Sequence, residues 1–138
     1  GGSVIGTYSP TGSELDVGKL NRALVYLGVK LCLPCIGDSC LVFREVGIDT
    51  EMVTNKYGIK EPDPKSKILN PTIIIVPMLA FNPAKYRLGY GGGYYDKYLS
   101  QHKTRTIGVA YDAQKTHEGF EQPFDIKLDM IITEKSVY

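Results

Sequence analysis

Four glycines within five positions, Gly89, Gly91, Gly92 and Gly93, stand between an arginine and an aspartate in Arg87-Leu88-Gly89-Tyr90-Gly91-Gly92-Gly93-Tyr94-Tyr95-Asp96. Glycines let a backbone take positive φ and let a ligand approach bare N–H groups. A helix starting just after them leaves its first N–H groups unpaired and points its positive dipole end at the turn. Together these make a cradle for phosphate, and Arg87 adds a permanent charge with a forked donor geometry suited to phosphate oxygens. Asp96 on its own would repel a polyphosphate. A magnesium ion between them reverses that sign, since this ion is usually held by one or two carboxylates plus substrate phosphates. The plain alternative is a turn that is only a turn, with Asp96 as a favourable partner for the helix dipole. The string is neither of the familiar glycine fingerprints, for it lacks the Gly-Lys-Ser/Thr of a Walker loop and the acidic residue that follows a dinucleotide site.

The elements that must hold this string are legible on either side. The apolar run Ile73-Ile74-Ile75-Val76 precedes it and suits a central parallel strand, extending over 72–76. Tyr94 to about His102 reads as a helix, followed by a strand over 105–111 and a closing strand over 128–133, with a loop-rich return over 112–125. Upstream, residues 4–8 read as a first strand and Ser13 as the cap of a helix from 14 to about 27. That helix has Leu15, Leu20, Ala23, Leu24 and Leu27 on one face and Gly28 at its C-terminal end. A second strand over 29–33 is expected to stop at Pro34, with Leu41-Val42-Phe43 returning antiparallel across Gly37-Asp38. From 47 to 71 the chain is polar and proline-bearing and reads as a long surface connection. Strand, helix and strand in that order ask for a parallel sheet with a right-handed crossover.

The composition excludes several classes. At 138 residues, 43% hydrophobic and 22% charged, the chain fits one α/β domain with a sizeable core. A formal charge of +1 gives no electrostatic case for nucleic acid or a membrane surface, and no apolar run approaches a membrane span. Gly1-Gly2-Ser3 reads as a linker or cloning scar. Three cysteines, Cys32, Cys35 and Cys40, with no secretory signal point to the cytoplasm. Residues three apart on a strand face opposite sides, so Cys32 and Cys35 are expected to be buried small hydrophobes rather than a metal or redox pair. His102 at a helix end and His117 in a loop are expected to be exposed and receive no role.

Preceded by Pro77-Met78-Leu79-Ala80-Phe81, the glycine string closely resembles the signature of the 5-formyltetrahydrofolate cyclo-ligase (5,10-methenyltetrahydrofolate synthetase) family. Other stretches are similar to family elements: Tyr8-Ser9 with Glu14-Leu15-Asp16, Gly58-Ile59-Lys60-Glu61-Pro62, Gly108-Val109-Ala110-Tyr111-Asp112-Ala113-Gln114, and Asp125 with Leu128-Asp129 and Thr133-Glu134. The matches run over residues 4–134. The resemblance implies a three-layer α/β/α sandwich with a mainly parallel sheet, and ATP- and Mg²⁺-dependent conversion of 5-formyltetrahydrofolate to 5,10-methenyltetrahydrofolate. In that reaction the formyl oxygen is phosphorylated, N10 attacks the activated carbon and phosphate leaves. It implies that Arg87, Leu88, Gly89, Tyr90, Gly91, Gly92, Gly93, Tyr94 and Tyr95 hold ATP, with Arg87 and Tyr94 catalytic and Asp96 and Asp125 at the metal. Tyr8, Glu14, Tyr90 and Tyr94 would meet the folate. Read without the family, Glu14 is an early-helix carboxylate, Tyr8 a strand-end core residue and Asp125 a turn residue. The partners implied are reduced folate and ATP, with a monomer as the expected unit.

Two departures stand out. The family usually places one or two helices, whose Lys and Arg reach the triphosphate, before the first strand. Here the chain begins almost at that strand, so the expectation is of a shortened form. Loss of such contacts, at about 1.5–3 kcal/mol per charged hydrogen bond, would weaken ATP binding and leave an apolar sheet face uncovered. Phe124 stands where a histidine commonly precedes the aspartate. Two other readings remain beside the enzyme: a non-catalytic nucleotide- or folate-binding remnant, and a structural α/β domain.

Overall fold

A computed structural model of the chain describes residues 3–8, 15–37, 40–47, 50–55, 58–88, 94–117, 119 and 126–138, with only the backbone of Leu88. Strands β1 (Val4–Gly6), β2 (Lys30–Ile36), β3 (Leu41–Val46), β4 (Met52–Thr54), β5 (Lys60–Pro62), β6 (Ile68–Leu69), β7 (Ile73–Val76), β8 (Ala80–Phe81), β9 (Arg87–Leu88), β10 (Arg105–Val109) and β11 (Met130–Ile132) alternate with helices α1 (Gly18–Tyr26) and α2 (Tyr94–Gln101). A seven-stranded sheet runs β11-β10-β7-β1-β2-β3-β6. β1 pairs in parallel with β2 and β7, and β10 in parallel with β7 and β11; β3 is antiparallel to β2 and β6. The fold is therefore α/β with a mostly parallel central sheet, as the strand–helix–strand order requires.

β7 lies in the middle of the sheet, which explains its unbroken hydrophobicity. Ile74 and Val76 point into one core with Cys32, Phe43, Met78, Tyr98 and Ile131, while Ile75 joins Tyr8 and Val17 on the opposite side. Tyr98 of α2 meets Phe43 edge-on at 5.1 Å between ring centres, so α2 covers the first face. α1 lies over the other, against Leu31 and Leu33, with an open apolar cleft of about 440 Å³ between them.

Several boundaries differ from the sequence expectation. α1 begins at Gly18, because the preceding residues make side-chain bonds that compete with a helical turn. Tyr8 Oη donates to Leu15 O at 2.5 Å, and Asp16 Oδ1 accepts from Gly18 N at 2.7 Å. Ser13 lies outside the described residues. The helix ends at the expected glycine, with Gly28 at φ +81°. Only part of the expected apolar stripe is covered: Leu15 packs against Tyr8, Val17 and Ile75 and Leu24 is half-buried, but Leu27 is 74% exposed and Leu20 is exposed as well. Asn21 seats the helix instead, accepting from Thr7 Oγ1 at 2.8 Å and donating to Tyr8 O at 3.3 Å.

β2 continues through Pro34, contrary to expectation. β1 pairs only as far as Cys32, so among the described residues this edge of β2 has no strand to bond beyond it, and a residue without an N–H does no damage there. Two residues on, Ile36 N donates to Glu61 Oε2 at 2.7 Å, and Asn55 Nδ2 donates to the same oxygen at 2.9 Å. The polar stretch after Gly47 thus holds strands, β4–β5 as a hairpin and β6 on the sheet edge, rather than being only a surface connection. His102 also departs from expectation. It is half-buried, stacked on Tyr98 at 4.0 Å, with Nδ1 at 3.0 Å from Tyr98 O. His117 is exposed, and Cys32 and Cys35 are buried and free. Among the described residues no helix is long and apolar enough to cross a membrane.

Candidate active site

The chain leaves β1 through α1 towards β2, and leaves β7 through α2 towards β10, on the other side of the sheet. The strand order therefore reverses between β1 and β7. In open α/β sheets the crevice beyond the carboxyl ends of the strands at such a reversal is where ligands bind. Tyr8 and the segment leading to Glu14 follow β1, and Pro77 and the segment leading to the glycines follow β7. The stretches after β10 and β11 reach the same rim, where Asp112 N donates to Glu134 Oε1 at 2.7 Å.

Between β7 and the glycines the chain makes a closed hairpin: β8 pairs with β9, Ala80 with Leu88 and Phe81 with Arg87. Its turn is fixed by Asn82, whose O accepts from Lys85 N at 2.9 Å and whose Oδ1 accepts from Tyr86 N at 3.2 Å. Lys85 takes φ 73°, a turn position that sequence reading missed for want of a glycine there. The hairpin delivers Arg87 at its end. Arg87 Nη1 donates to Pro77 O at 3.2 Å, and the guanidinium lies 4.8 Å from the centre of the Tyr95 ring. A carbonyl and an aromatic face thus orient a group with five N–H donors.

α2 starts at Tyr94, as the glycine string requires, and carries Asp96 in its first turn. Asp96 Oδ1 accepts from Ile126 N at 3.0 Å, which ties the start of α2 to the residue directly after Asp125. Among the described residues no group of three His, Cys, Asp or Glu could hold a metal. One carboxylate with a second next to its tether in the chain fits magnesium, whose remaining ligands would be phosphate oxygens and water. Tyr94 and Tyr95 are half-buried against the core beneath. Gly89, Tyr90, Gly91, Gly92, Gly93, Glu14, Asp125 and Phe124 lie outside the described residues, as does the side chain of Leu88. Tyr8 is 2% exposed, and its hydroxyl is bonded to Leu15. It supports the residue next to Glu14.

Sequence reasoning gave no role to the end of β10, where a 3-10 turn, Asp112–Gln114, follows. Gln114 reaches back to Met78 O at 2.9 Å and Leu79 O at 3.1 Å. Lys115 Nζ donates to Tyr138 Oη at 3.0 Å, and Tyr138 Oη donates to Asp112 Oδ1 at 3.0 Å. The Tyr138 bond holds the Asp112 carboxyl below its ordinary range, with Lys115 and Thr133 acting in the same direction. The bond to Tyr138 likewise raises Lys115. The sequence signal was a polar Asp-x-Gln directly after an apolar strand.

Comparison with known proteins supplies the family. The model of the 5-formyltetrahydrofolate cyclo-ligase family matches residues 2–134. The 5-formyltetrahydrofolate cyclo-ligase of Mycoplasma genitalium is 41% identical over 85 residues, covering 58% of this chain, which spans about half of that relative (51%). That of Escherichia coli K12 is 32% identical over 135 residues, covering 91% of this chain and 74% of the relative. The solved 5,10-methenyltetrahydrofolate synthetase of Aquifex aeolicus superposes with a TM-score of 0.85 at 30% identity, covering 98% of this chain and 70% of that one. With a family-wide match and a shared fold, this chain belongs to the 5-formyltetrahydrofolate cyclo-ligase family.

Proposed function

We propose that the chain carries out the ATP- and Mg²⁺-dependent cyclisation of 5-formyltetrahydrofolate to 5,10-methenyltetrahydrofolate. The observation that supports this most is the meeting, at the strand-order reversal, of an oriented Arg87, a helix start directly after the glycines, and Asp96 tethered to Ile126. Arg87 and the amides of residues 88–93 bind the ATP phosphates, with Tyr90, Tyr94 and Tyr95 completing the nucleotide site. Asp96 and Asp125 hold magnesium, which supplies the positive charge that lets a triphosphate lie beside carboxylates. Glu14, with Tyr8, contacts the folate, Glu14 accepting from its polar N–H groups, and Tyr90 and Tyr94 line its site, Tyr94 offering a ring face to the pterin.

The formyl oxygen attacks the γ-phosphorus and ADP leaves, with Arg87 stabilising the charge on the transferred phosphate. N10 then closes on the activated carbon and gives up its proton to water, and phosphate departs. No enzyme nucleophile is required, so catalysis is positioning and charge stabilisation. Reduced folate and ATP are the partners, the cytoplasm the place and the monomer the acting unit. The test is to mix the chain with 5-formyltetrahydrofolate and MgATP and follow the near-ultraviolet band of the methenyl product. Growth of that band, dependent on both ATP and Mg²⁺, supports the reading. Its absence with a folded chain that still binds MgATP or folate favours the non-catalytic remnant, and absence of all three leaves a structural domain.

A further inference from the structure

The geometry points to Gln114 as a positioning residue for the phosphate-binding arginine, an inference that rests on the cyclo-ligase reading. Its amide makes three bonds: Oε1 accepts from Tyr111 N at 2.7 Å, and Nε2 donates to Met78 O at 2.9 Å and to Leu79 O at 3.1 Å. The partners fix the amide's orientation, because a backbone N–H can only donate and a carbonyl can only accept. The next carbonyl upstream, Pro77 O, accepts from Arg87. Three successive carbonyls after the central strand are thus held by two side chains, Pro77 O by Arg87 and the next two by Gln114.

Two further contacts stiffen the clamp. Thr116 N donates to Phe81 O at 2.8 Å. Met78 packs over Gly108, where a Cβ would come within 2.4 Å of its methyl group. Release of Met78 and Leu79 would let Pro77 O turn, and Arg87 would lose the carbonyl that aims it. Glutamate in place of Gln114 keeps length and shape, yet sets an ionised acceptor against two carbonyl oxygens. Once protonated, it can donate to one of them.

The test compares Gln114→Glu, Gln114→Ala and the native chain in turnover, MgATP binding and thermal unfolding from pH 5.5 to 8.5. Each variant is read as a ratio to the native chain at the same pH, so that Arg87, Asp112, Lys115, Glu134 and Tyr138 contribute equally to both. At the alkaline end, Gln114→Glu is expected to raise KM for MgATP about tenfold or more, with KM for the folate within about twofold. As the pH falls, its deficit should shrink, while that of Gln114→Ala stays constant. Equal rises in both KM values, matching pH profiles for the two variants, or a Gln114→Glu chain indistinguishable from native would overturn the inference. Failure of both variants to fold would show a purely structural role and overturn it as well. A native chain that neither binds MgATP nor forms product overturns the function reading, and this inference with it.

Discussion

Asp96 carries two duties that a single substitution separates. One oxygen accepts from Ile126 N, and the function proposed above gives the carboxylate charge to magnesium. Asp96→Asn keeps a carbonyl oxygen for Ile126 and removes the charge. The expected result is a melting temperature close to native and a fall in MgATP-dependent turnover of about a hundredfold or more, the scale of losing several kcal/mol of metal-centred charge stabilisation. Thermal unfolding and a magnesium titration of the rate check both halves. Arg87 and Asp96 were legible as chemistry because charge beside glycine is unusual. What oriented them was not, since the carbonyl of Pro77 and the amide of residue 126 are backbone groups whose direction depends on the tertiary fold.

Among the elements, the central β7–β10 pair sets how closely the site's supports can approach. Gly108 on β10 faces Val76 on β7 and leaves space filled by Met78 and Leu128. A methyl group there would lie 2.4 Å from Met78 and 2.8 Å from Leu128. Gly108→Ala is therefore expected to destabilise the fold by about 1–3 kcal/mol and, through Met78, to raise KM for MgATP. Denaturant unfolding alongside steady-state kinetics measures both. Strong local signals identified the elements: the isoleucine run for β7, the glycine string for the start of α2 and Gly28 for the end of α1. Boundaries set by tertiary bonds escaped. β2 passes Pro34 because β1 stops short of it and Glu61 meets Ile36, a contact between residues 25 positions apart. The apolar stripe of α1 misled, since Asn21 rather than Leu20 or Leu27 seats the helix.

At the scale of the whole molecule, the buried thiols give a pH signature. Burial pushes Cys32 from an ordinary value of 9.0 up to about 12, and Cys35 from 9.0 to about 11. The unfolded chain therefore releases these protons first. The stabilisation from the neutral, buried thiols is complete below about pH 9 and is lost as the pH rises towards about 11 and 12. Unfolding experiments in alkaline buffers should show that decline, and it should weaken in a Cys32→Ala, Cys35→Ala chain. In the native state a thiol reagent should modify the exposed Cys40 and leave Cys32 and Cys35 until unfolding.

The architecture was readable as a parallel α/β sheet because the crossovers from β1 to β2 and from β7 to β10 each carried a helix pattern. The gathering of its motifs was not, because only the order β10-β7-β1 puts the ends of distant segments side by side. The claim at the centre is that this junction grips a nucleotide's triphosphate through Arg87 and a metal-bearing carboxylate. Calorimetric titration of the folded chain with ATP, with magnesium and with a chelator in its place, addresses it most directly. The expected result is stoichiometric, magnesium-dependent binding, weakened about tenfold or more by Arg87→Gln, the loss of a charged hydrogen bond. Binding indifferent to both magnesium and Arg87, or no binding at all, would contradict it.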